Sequence, residues 1–358
     1  MFYREAGQYK TTYAADQQIF PIRQDRIGIA VILVVALLLP LAASEFTLSA
    51  IAIPFLVLAL ATIGLNILTG YAGQLSLGTG AFMGVGAYSC YKLVTIFPDV
   101  NVIVHILLSG IFAAAAGVVF GLPSLRIKGL YLAVTTLAAQ FFLEWCFIRI
   151  PWLYNYNSSG AIEVPGREVF GTLITGPAAS GTARYYVVLA IVVVMTLLIK
   201  NVIRGRIGRQ GMMIRDMDIA AELMGVRPLI AKLSAFAVSS YVCGVAGAMF
   251  VFFYLGASEP AVFSITLSFQ VLFMAIIGGL GSLVGSFFGA AFIWILPILL
   301  RVGLPALGVD VAAETVFQVA QMVIGALIIF FLIVEPHGLA RLWAIGKEKL
   351  RVWPFPYA

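Results

Sequence analysis

Charged residues are scarce in this sequence. Asp, Glu, Lys and Arg make up 11% of its 358 residues, whereas they make up about 25% of an average soluble domain. Apolar residues account for 62%. A soluble fold of this size needs a charged shell to cover so much apolar surface, so the composition excludes an ordinary water-soluble protein. Lipid must cover that surface instead, which predicts an integral membrane protein that crosses the bilayer many times.

The residues and motifs of catalytic and metal sites are also rare. The sequence has two histidines and three cysteines, and no Cys-x-x-Cys spacing. It contains no Gly-x4-Gly-Lys-Ser/Thr loop, which would cradle nucleotide phosphates. The basic residues flank apolar runs, whereas nucleic-acid binding would cluster them on a polar face. We therefore expect no catalytic residue, metal site or cofactor in this chain, and no nucleic-acid partner.

Ten apolar runs have about the length that a membrane-spanning helix needs, close to 20 residues. The third run is rich in glycine and polar side chains, which leaves open a continuous, broken or re-entrant helix. The runs cover residues 28–43, 48–69, 73–94, 102–121, 127–148, 184–200, 232–254, 264–279, 282–300 and 314–334.

The basic residues divide unevenly between the two sides of these spans. With the N-terminus inside, most of the 22 Lys and Arg residues fall in inside segments, as the positive-inside rule requires. This predicts both termini in the cytoplasm, with an N-terminal tail (1–27), a membrane domain (28–334) and a C-terminal tail (335–358). The inside loop 201–231 is the most basic. The outer segment 150–183 is too polar to span and is expected to fold over the outer mouth.

Polar side chains occur at two places inside the predicted membrane domain. Gln74, Ser76 and Thr79 follow a glycine-interrupted stretch, and irregular backbone at membrane depth is tolerated only against protein or a water-lined cavity. The stretch is predicted to line a pathway or a close helix crossing, and both stay open. Glu144 lies inside a predicted span, where an ionisable group suggests a function. The alternative is that it lies at the outer rim of the membrane and snorkels or forms an ion pair there. One glutamate does not supply the ion site of a coupled carrier, so we expect a partner to supply the energy.

A short helix is predicted inside the basic loop 201–231. Asp218 is a suitable N-cap, and Gly225 followed by Pro228 is a suitable stop. A helix of about two turns is not stable alone in water. It therefore needs a surface on which to dock, and the alternative is an amphipathic turn that lies on lipid headgroups.

Five blocks of sequence carry a family resemblance, in the family's order along the chain. They are LNILTGYAGQLSLG (65–78), LRIKGLYLA (125–133), RDMDIAAELMG (215–225), IGGLGSLVG (277–285) and EPHGLA (335–340). Together they resemble the LivM-type permeases of branched-chain amino acid ABC importers, and the resemblance covers about residues 50 to 340.

The resemblance implies an all-α polytopic fold of about ten transmembrane helices, a type II-like ABC importer permease in the bacterial inner membrane. Its implied partners are a LivH-like second permease, two cytosolic ABC ATPase subunits that bind ATP and Mg, a periplasmic substrate-binding protein and membrane lipid. The predicted short helix is similar to the coupling helix that docks on an ATPase, although its Ala-Ala-Glu order departs from the Glu-Ala-Ala of other importers. The implied coupling residues are Asp218, Ile219, Ala220, Ala221, Glu222, Met224 and Gly225.

The implied function is ATP-driven, binding-protein-dependent import of branched-chain or related amino acids by alternating access. Similar permeases carry urea, short amides or aromatic carboxylates, and residues 145–186 depart from the family pattern, so those substrates remain alternatives. An ion-coupled secondary transporter that works alone and a membrane-embedded enzyme are the alternatives from other classes.

Overall fold

The computed structural model describes residues 11–13, 23–124, 131–157, 159–169, 171–176, 178–306, 313–334 and 338–352. Parts of both predicted tails (1–10, 14–22, 335–337 and 353–358) lie outside the described residues. So does most of the resembling block 125–133.

Helices dominate the described chain. They are α1 (Arg23–Ala42), α2 (Thr47–Tyr71), α3 (Thr79–Ile96), α4 (Val102–Ser124), α5 (Tyr131–Arg149), α6 (Gly181–Arg204), α7 (Arg206–Asp216), α8 (Asp218–Leu223), α9 (Pro228–Leu255), α10 (Ile265–Gly278), α11 (Leu283–Ala306), α12 (Ala313–Val334) and α13 (Gly338–Val352). The first and last turns of α2 and the last turns of α9 are π-helical.

Eight helical segments in the described ranges are long and apolar enough to cross a membrane. They are α1, α2, α4, α5, α6, α9, α11, and α10 taken together with the short helical turn before it (Pro260–Gly278). The two other predicted spans, 73–94 and 314–334, coincide largely with α3 and α12. The predicted all-α, many-spanning architecture is confirmed. The count of ten spans and the cytoplasmic termini stay predictions.

The interior of the bundle is built around α2 and α9, which are buried over most of their length. Helix α9 packs against α3 and α4. A Cβ at Gly86 would lie 2.0 Å from the carbonyl oxygen of Gly244, and one at Gly247 would lie 2.0 Å from that of Met83. Only hydrogen at these positions allows so close a crossing, which is how small residues pack helices in membranes.

The described residues between α5 and α6 (150–157, 159–169, 171–176 and 178–180) form a cover at one end of the bundle. Two-residue strands β1 (Ile162–Glu163) and β4 (Ala257–Ser258) pair antiparallel, and β2 (Glu168–Val169) pairs with β3 (Thr172–Leu173) in the same sense. The first pair ties this segment to the chain that follows α9. Arg167 reinforces the cover because its guanidinium donates to the carbonyl oxygens of Val94 and Pro98 at the end of α3.

Helices α7 and α8 lie at the opposite end of the bundle, between the end of α6 and the start of α9. We call this the basic end, since it holds loop 201–231, the most basic of the segments predicted to lie inside. The bundle therefore has one end covered by short strands and one end carrying two short helices.

Candidate translocation and coupling site

Residues 72–78 form an unwound segment between α2 and α3. Gly73 has a φ of +66°, and no helix resumes until Thr79. Residues 73–78 of the predicted span 73–94 are therefore not helical. Of the alternatives open for this run, the structure shows the broken helix, which successive glycine and polar residues interrupt. The backbone nitrogen of Gln74 still donates to the carbonyl oxygen of Leu68 at 2.9 Å.

The unwound segment runs from the basic end into the bundle. A Cβ at Gly73 would lie 2.8 Å from Cγ of Arg215 in α7. The backbone nitrogen of Gly80 donates to Oγ of Ser268 at 2.8 Å. Ser268 precedes the end of α10 at Gly278 by about 15 Å along the helix axis, at 1.5 Å per residue. Helix α3 therefore begins well inside the bundle.

Side chains of two other helices cap the buried start of α3. The backbone nitrogen of Ala81 donates to Oε1 of Gln140 at 2.7 Å, and that of Leu77 donates to Oγ1 of Thr136 at 3.0 Å. The hydroxyl of Ser268 donates to the same Gln140 oxygen at 2.9 Å while accepting from Gly80. The first turn of a helix leaves backbone N–H groups without helical partners. These contacts satisfy three donors in and before that turn.

The structure brings three of the four predicted pathway residues into the unwound segment and its junction with α3. Gln74, Ser76 and Thr79 are all buried. Oγ of Ser76 accepts a hydrogen bond from the backbone nitrogen of Gly78 at 3.4 Å. Glu144 lies apart on α5, four residues after Gln140 and half-buried. In the described chain no ion pair or side-chain hydrogen bond joins it to the segment.

Gln74 is unusual among these residues. It is 5% exposed, and neither its amide nitrogen nor its amide oxygen has a hydrogen-bond partner in the described part of the protein. An unsatisfied buried polar group costs about 1–3 kcal/mol. The segment therefore holds a side chain that would gain hydrogen bonds in another arrangement or with another molecule.

A second buried carboxamide holds the basic end of α2 in place. Nδ2 of Asn66 donates to the carbonyl oxygen of Ser282 and to Oγ of Ser286, both at 2.9 Å. Its Oδ1 accepts from the backbone nitrogen of Gly281 at 2.8 Å. One side chain therefore fixes the turn between α10 and α11, where Gly279 and Gly281 have positive φ.

The basic loop folds as two helices around a small apolar cluster. Ile214 of α7 and Ala221 of α8 are buried together with Val226 and Ala231. At the end of α8 the backbone nitrogen of Gly225 donates to the carbonyl oxygen of Glu222, and that of Val226 donates to Ala221. This pattern is a Schellman ending.

The predicted boundaries of the short helix are right at one end and wrong at the other. Gly225 has the left-handed φ of +85° that the predicted stop requires. Asp218 is the first helical residue and not the N-cap, a place that Met217 takes with φ −156° and ψ 100°. This difference has a physical cause. Helix α7 continues to Asp216, and the chain bends at Met217 to place Ala221 in the apolar cluster.

The predicted coupling residues fall into buried and exposed groups. Ala221 is fully buried, and Ala220 and Asp218 are partly exposed. Ile219 and Met224 are 69% and 64% exposed, and Glu222 and Gly225 are also exposed. Leu223, which the sequence reasoning left out, is 85% exposed. The helix thus turns large apolar side chains outward at the basic end.

A cavity of about 340 Å³ lies between the unwound segment and the two short helices. Residues 72–74 line one side, and residues 214–218 with Lys232 line the other. In the described ranges no group of three or more His, Cys, Asp or Glu side chains is arranged to hold a metal ion. The cavity therefore lies between the buried polar residue Gln74 and the two short helices of the basic loop.

Sequence reasoning missed four residues that organise this site: Asn66, Thr136, Gln140 and Ser268. Each is a buried polar residue inside an otherwise apolar helix. A polar side chain in a predicted span is the available signal, because such residues are expensive in lipid and face the bundle interior. The partner that each one contacts lies far away in the sequence.

Comparison with known proteins places the chain in a family. Residues 47–332 match the family described as "Branched-chain amino acid transport system / permease component". The chain is 27% identical over 339 residues to the high-affinity branched-chain amino acid transport system permease protein LivM of Escherichia coli K12, covering 88% of this chain and 75% of that one. It is 28% identical over 300 residues to the protein of the same name from Salmonella typhimurium LT2, covering 77% and 66%. No solved structure matches significantly. The chain belongs to the permease-component family of branched-chain amino acid transport systems.

Proposed function

We propose that this chain is one of two permease subunits of an ATP-driven, binding-protein-dependent importer in a bacterial inner membrane. Two cytosolic ATPase subunits bind ATP and Mg, a LivH-like permease completes the path, and a periplasmic binding protein delivers the solute. The observation that carries the proposal is α8, which exposes large apolar side chains at the basic end of a multi-pass permease.

The exposed apolar side chains of α8 favour a protein partner. Ile219 and Leu223, at i and i+4 on one helix face, are 69% and 85% exposed. Burying each is worth about 1.5–3 kcal/mol. A helix of six residues has little stability of its own. Docking on a folded partner would bury these side chains and hold the helix, and we assign that surface to an ATPase subunit.

The unwound segment supports alternating access. Residues 72–78 reach from the basic end to the buried start of α3, and irregular backbone at that depth is typical of transporter pathways. Buried Gln74 has no hydrogen-bond partner in the described protein and lines the cavity, so its amide is available to another molecule or to a second arrangement of the segment. We assign Gln74, Ser76 and Thr79 to the wall of the path.

Branched-chain or related amino acids are the proposed solutes. The two relatives are named for high-affinity branched-chain amino acid transport. The backbone N–H groups of Gly80 and Ala81 are already bonded to Ser268 and Gln140. Thus the start of α3 is not a free site for a carboxylate in this arrangement. Selection of the solute is therefore assigned to the binding protein, and binding assays on that protein with amino acids, urea, amides and aromatic carboxylates test it.

The coupling proposal is tested by association. Ile219→Asp/Leu223→Asp should weaken ATPase binding at least about 100-fold, because about 3–6 kcal/mol of apolar burial is lost. Co-purification with the ATPase subunits and ATP-driven uptake in proteoliposomes measure the effect. Tyr156→Asp, which places a charge at an exposed position of the strand-covered end, is the control and should bind normally. Normal association and uptake by the double variant would overturn the assignment of α8.

A further inference from the structure

Arg215 joins the basic loop 201–231 to the end of α2. It is the second-last residue of α7, and α8 begins three residues later. Its Nη1 donates to the carbonyl oxygen of Gly70 in the last turn of α2 at 2.8 Å. Its Nε and Nη2 both lie 2.9 Å from Oδ1 of Asp216. One guanidinium therefore contacts α2 while its neighbour in sequence holds its orientation.

The backbone around Gly70 is closely packed at this contact. A Cβ at Gly70 would lie 2.2 Å from the backbone nitrogen of Gly281 and 2.0 Å from Oδ1 of Asn66. The stem of Arg215 also lies against Gly73, the second residue of the unwound segment, at 2.8 Å from its Cβ position. Motion of Arg215 would thus displace the end of α2, the α10–α11 turn and the start of the unwound segment.

The chemistry of the contact requires arginine. The last carbonyl groups of a helix have no helical partner, and a cation there is stabilised by the helix dipole. The planar guanidinium can donate to Gly70 and to Asp216 at once, which a lysine ammonium on a flexible stem does not reproduce with fixed geometry. Helices α7 and α8 also share the buried cluster of Ile214 and Ala221. A displacement of α8 would therefore be expected to move Arg215 as well.

We propose that Arg215 is the positioning residue that transmits movement of the coupling helix to the unwound segment 72–78 during transport. In this scheme the ATPases move α8, α7 follows as one unit with it, and Arg215 draws Gly70 and Gly73 along. Movement of the segment then shifts the buried start of α3. This inference rests on the proposed ATP-driven function.

The first test separates transmission from assembly. Arg215→Ala is expected to co-purify with the ATPase subunits and to hydrolyse ATP in proteoliposomes with the binding protein and leucine. Solute taken up per ATP hydrolysed should fall roughly tenfold, the equivalent of losing one charge-assisted hydrogen bond. Arg209→Ala removes the same charge from an exposed position of α7 and should keep the wild-type ratio. An unchanged ratio in Arg215→Ala overturns the inference.

The second test replaces the arginine link with a covalent one. A Cβ at Gly211 of α7 would lie 3.6 Å from Cβ of Ala72, within the range of about 3.5–4.5 Å that a disulfide bridges. In the Arg215→Ala background, oxidised Ala72→Cys/Gly211→Cys should restore uptake per ATP, and reduction should abolish the rescue. A purely structural role for Arg215 predicts no such redox dependence.

The same tether tests the idea with Arg215 intact. If α7 and the segment move as one unit, the oxidised Ala72→Cys/Gly211→Cys protein transports at the wild-type rate. A block that reduction relieves would show that the two elements move past one another, and would overturn the inference. The proposed function fails separately, if the wild-type assembly shows no ATP-dependent uptake.

Discussion

Oε1 of Gln140 on α5 accepts a hydrogen bond from the backbone nitrogen of Ala81 on α3 at 2.7 Å. One helix thus caps another at a point where the second starts inside the bundle. Nε2 of the same side chain donates to the carbonyl oxygen of Phe263 at 2.6 Å, before α10. The carboxamide joins three elements next to the unwound segment, and its loss is the first prediction.

Gln140→Leu should destabilise the protein by about 1–3 kcal/mol or more, because it removes the partner of two buried donors, the Ala81 N–H and the Ser268 hydroxyl, and of one acceptor, the Phe263 carbonyl. Thermal unfolding of the purified protein in detergent measures the change as a lower midpoint. Phe141→Leu changes the neighbouring, exposed residue and serves as the control, with an expected midpoint near that of the wild type. Equal midpoints for Gln140→Leu and the control would contradict the capping role.

Gln74→Leu, the same substitution at another buried glutamine, should have the opposite effect on stability. The amide of Gln74 makes no hydrogen bond in the described structure, so an apolar side chain of similar size removes an unsatisfied group. We expect an unchanged or higher unfolding midpoint together with reduced solute uptake, since the path loses a polar wall. A drop in midpoint as large as that of Gln140→Leu would show that the amide is already satisfied.

Gly247→Ala should disrupt the crossing of α3 and α9. Its new methyl group would lie 2.0 Å from the carbonyl oxygen of Met83, so the helices must separate. Overpacking of this kind costs about 1–3 kcal/mol. Gly325→Ala on α12 is the matched control, because nothing lies within 4 Å of its Cβ position and alanine favours a helix. The unfolding midpoint should fall for the first variant and stay or rise for the second.

The sequence predicts the all-α, many-spanning architecture but not the buried contacts, for a physical reason. Lipid imposes a length and an apolar character on each span, and both are local properties of the sequence. The cap between Gln140 and Ala81 joins residues 59 positions apart, and the bond from Asn66 to Gly281 joins residues 215 apart. Spacing within one helix does not encode such distant partners.

The unwound segment and the short helix lie between these two cases. Glycine and polar residues make a break near Gln74 one of the open alternatives, but the entry of the segment deep into the bundle shows only in the distant contact between Gly80 and Ser268. The stop at Gly225 follows from local backbone geometry. The predicted N-cap, Asp218, is one residue too late, because the packing of Ala221 decides where the chain bends. The observed N-cap is Met217.

The source of energy for transport is the most direct test of the account. Solute uptake should be measured in proteoliposomes that hold this chain alone and in proteoliposomes that hold it with the second permease, the ATPase subunits and the binding protein. We predict uptake by the full assembly only, and only with ATP and Mg inside the compartment where α8 is exposed. Uptake by the chain alone, driven by an ion gradient without ATP, would contradict the account.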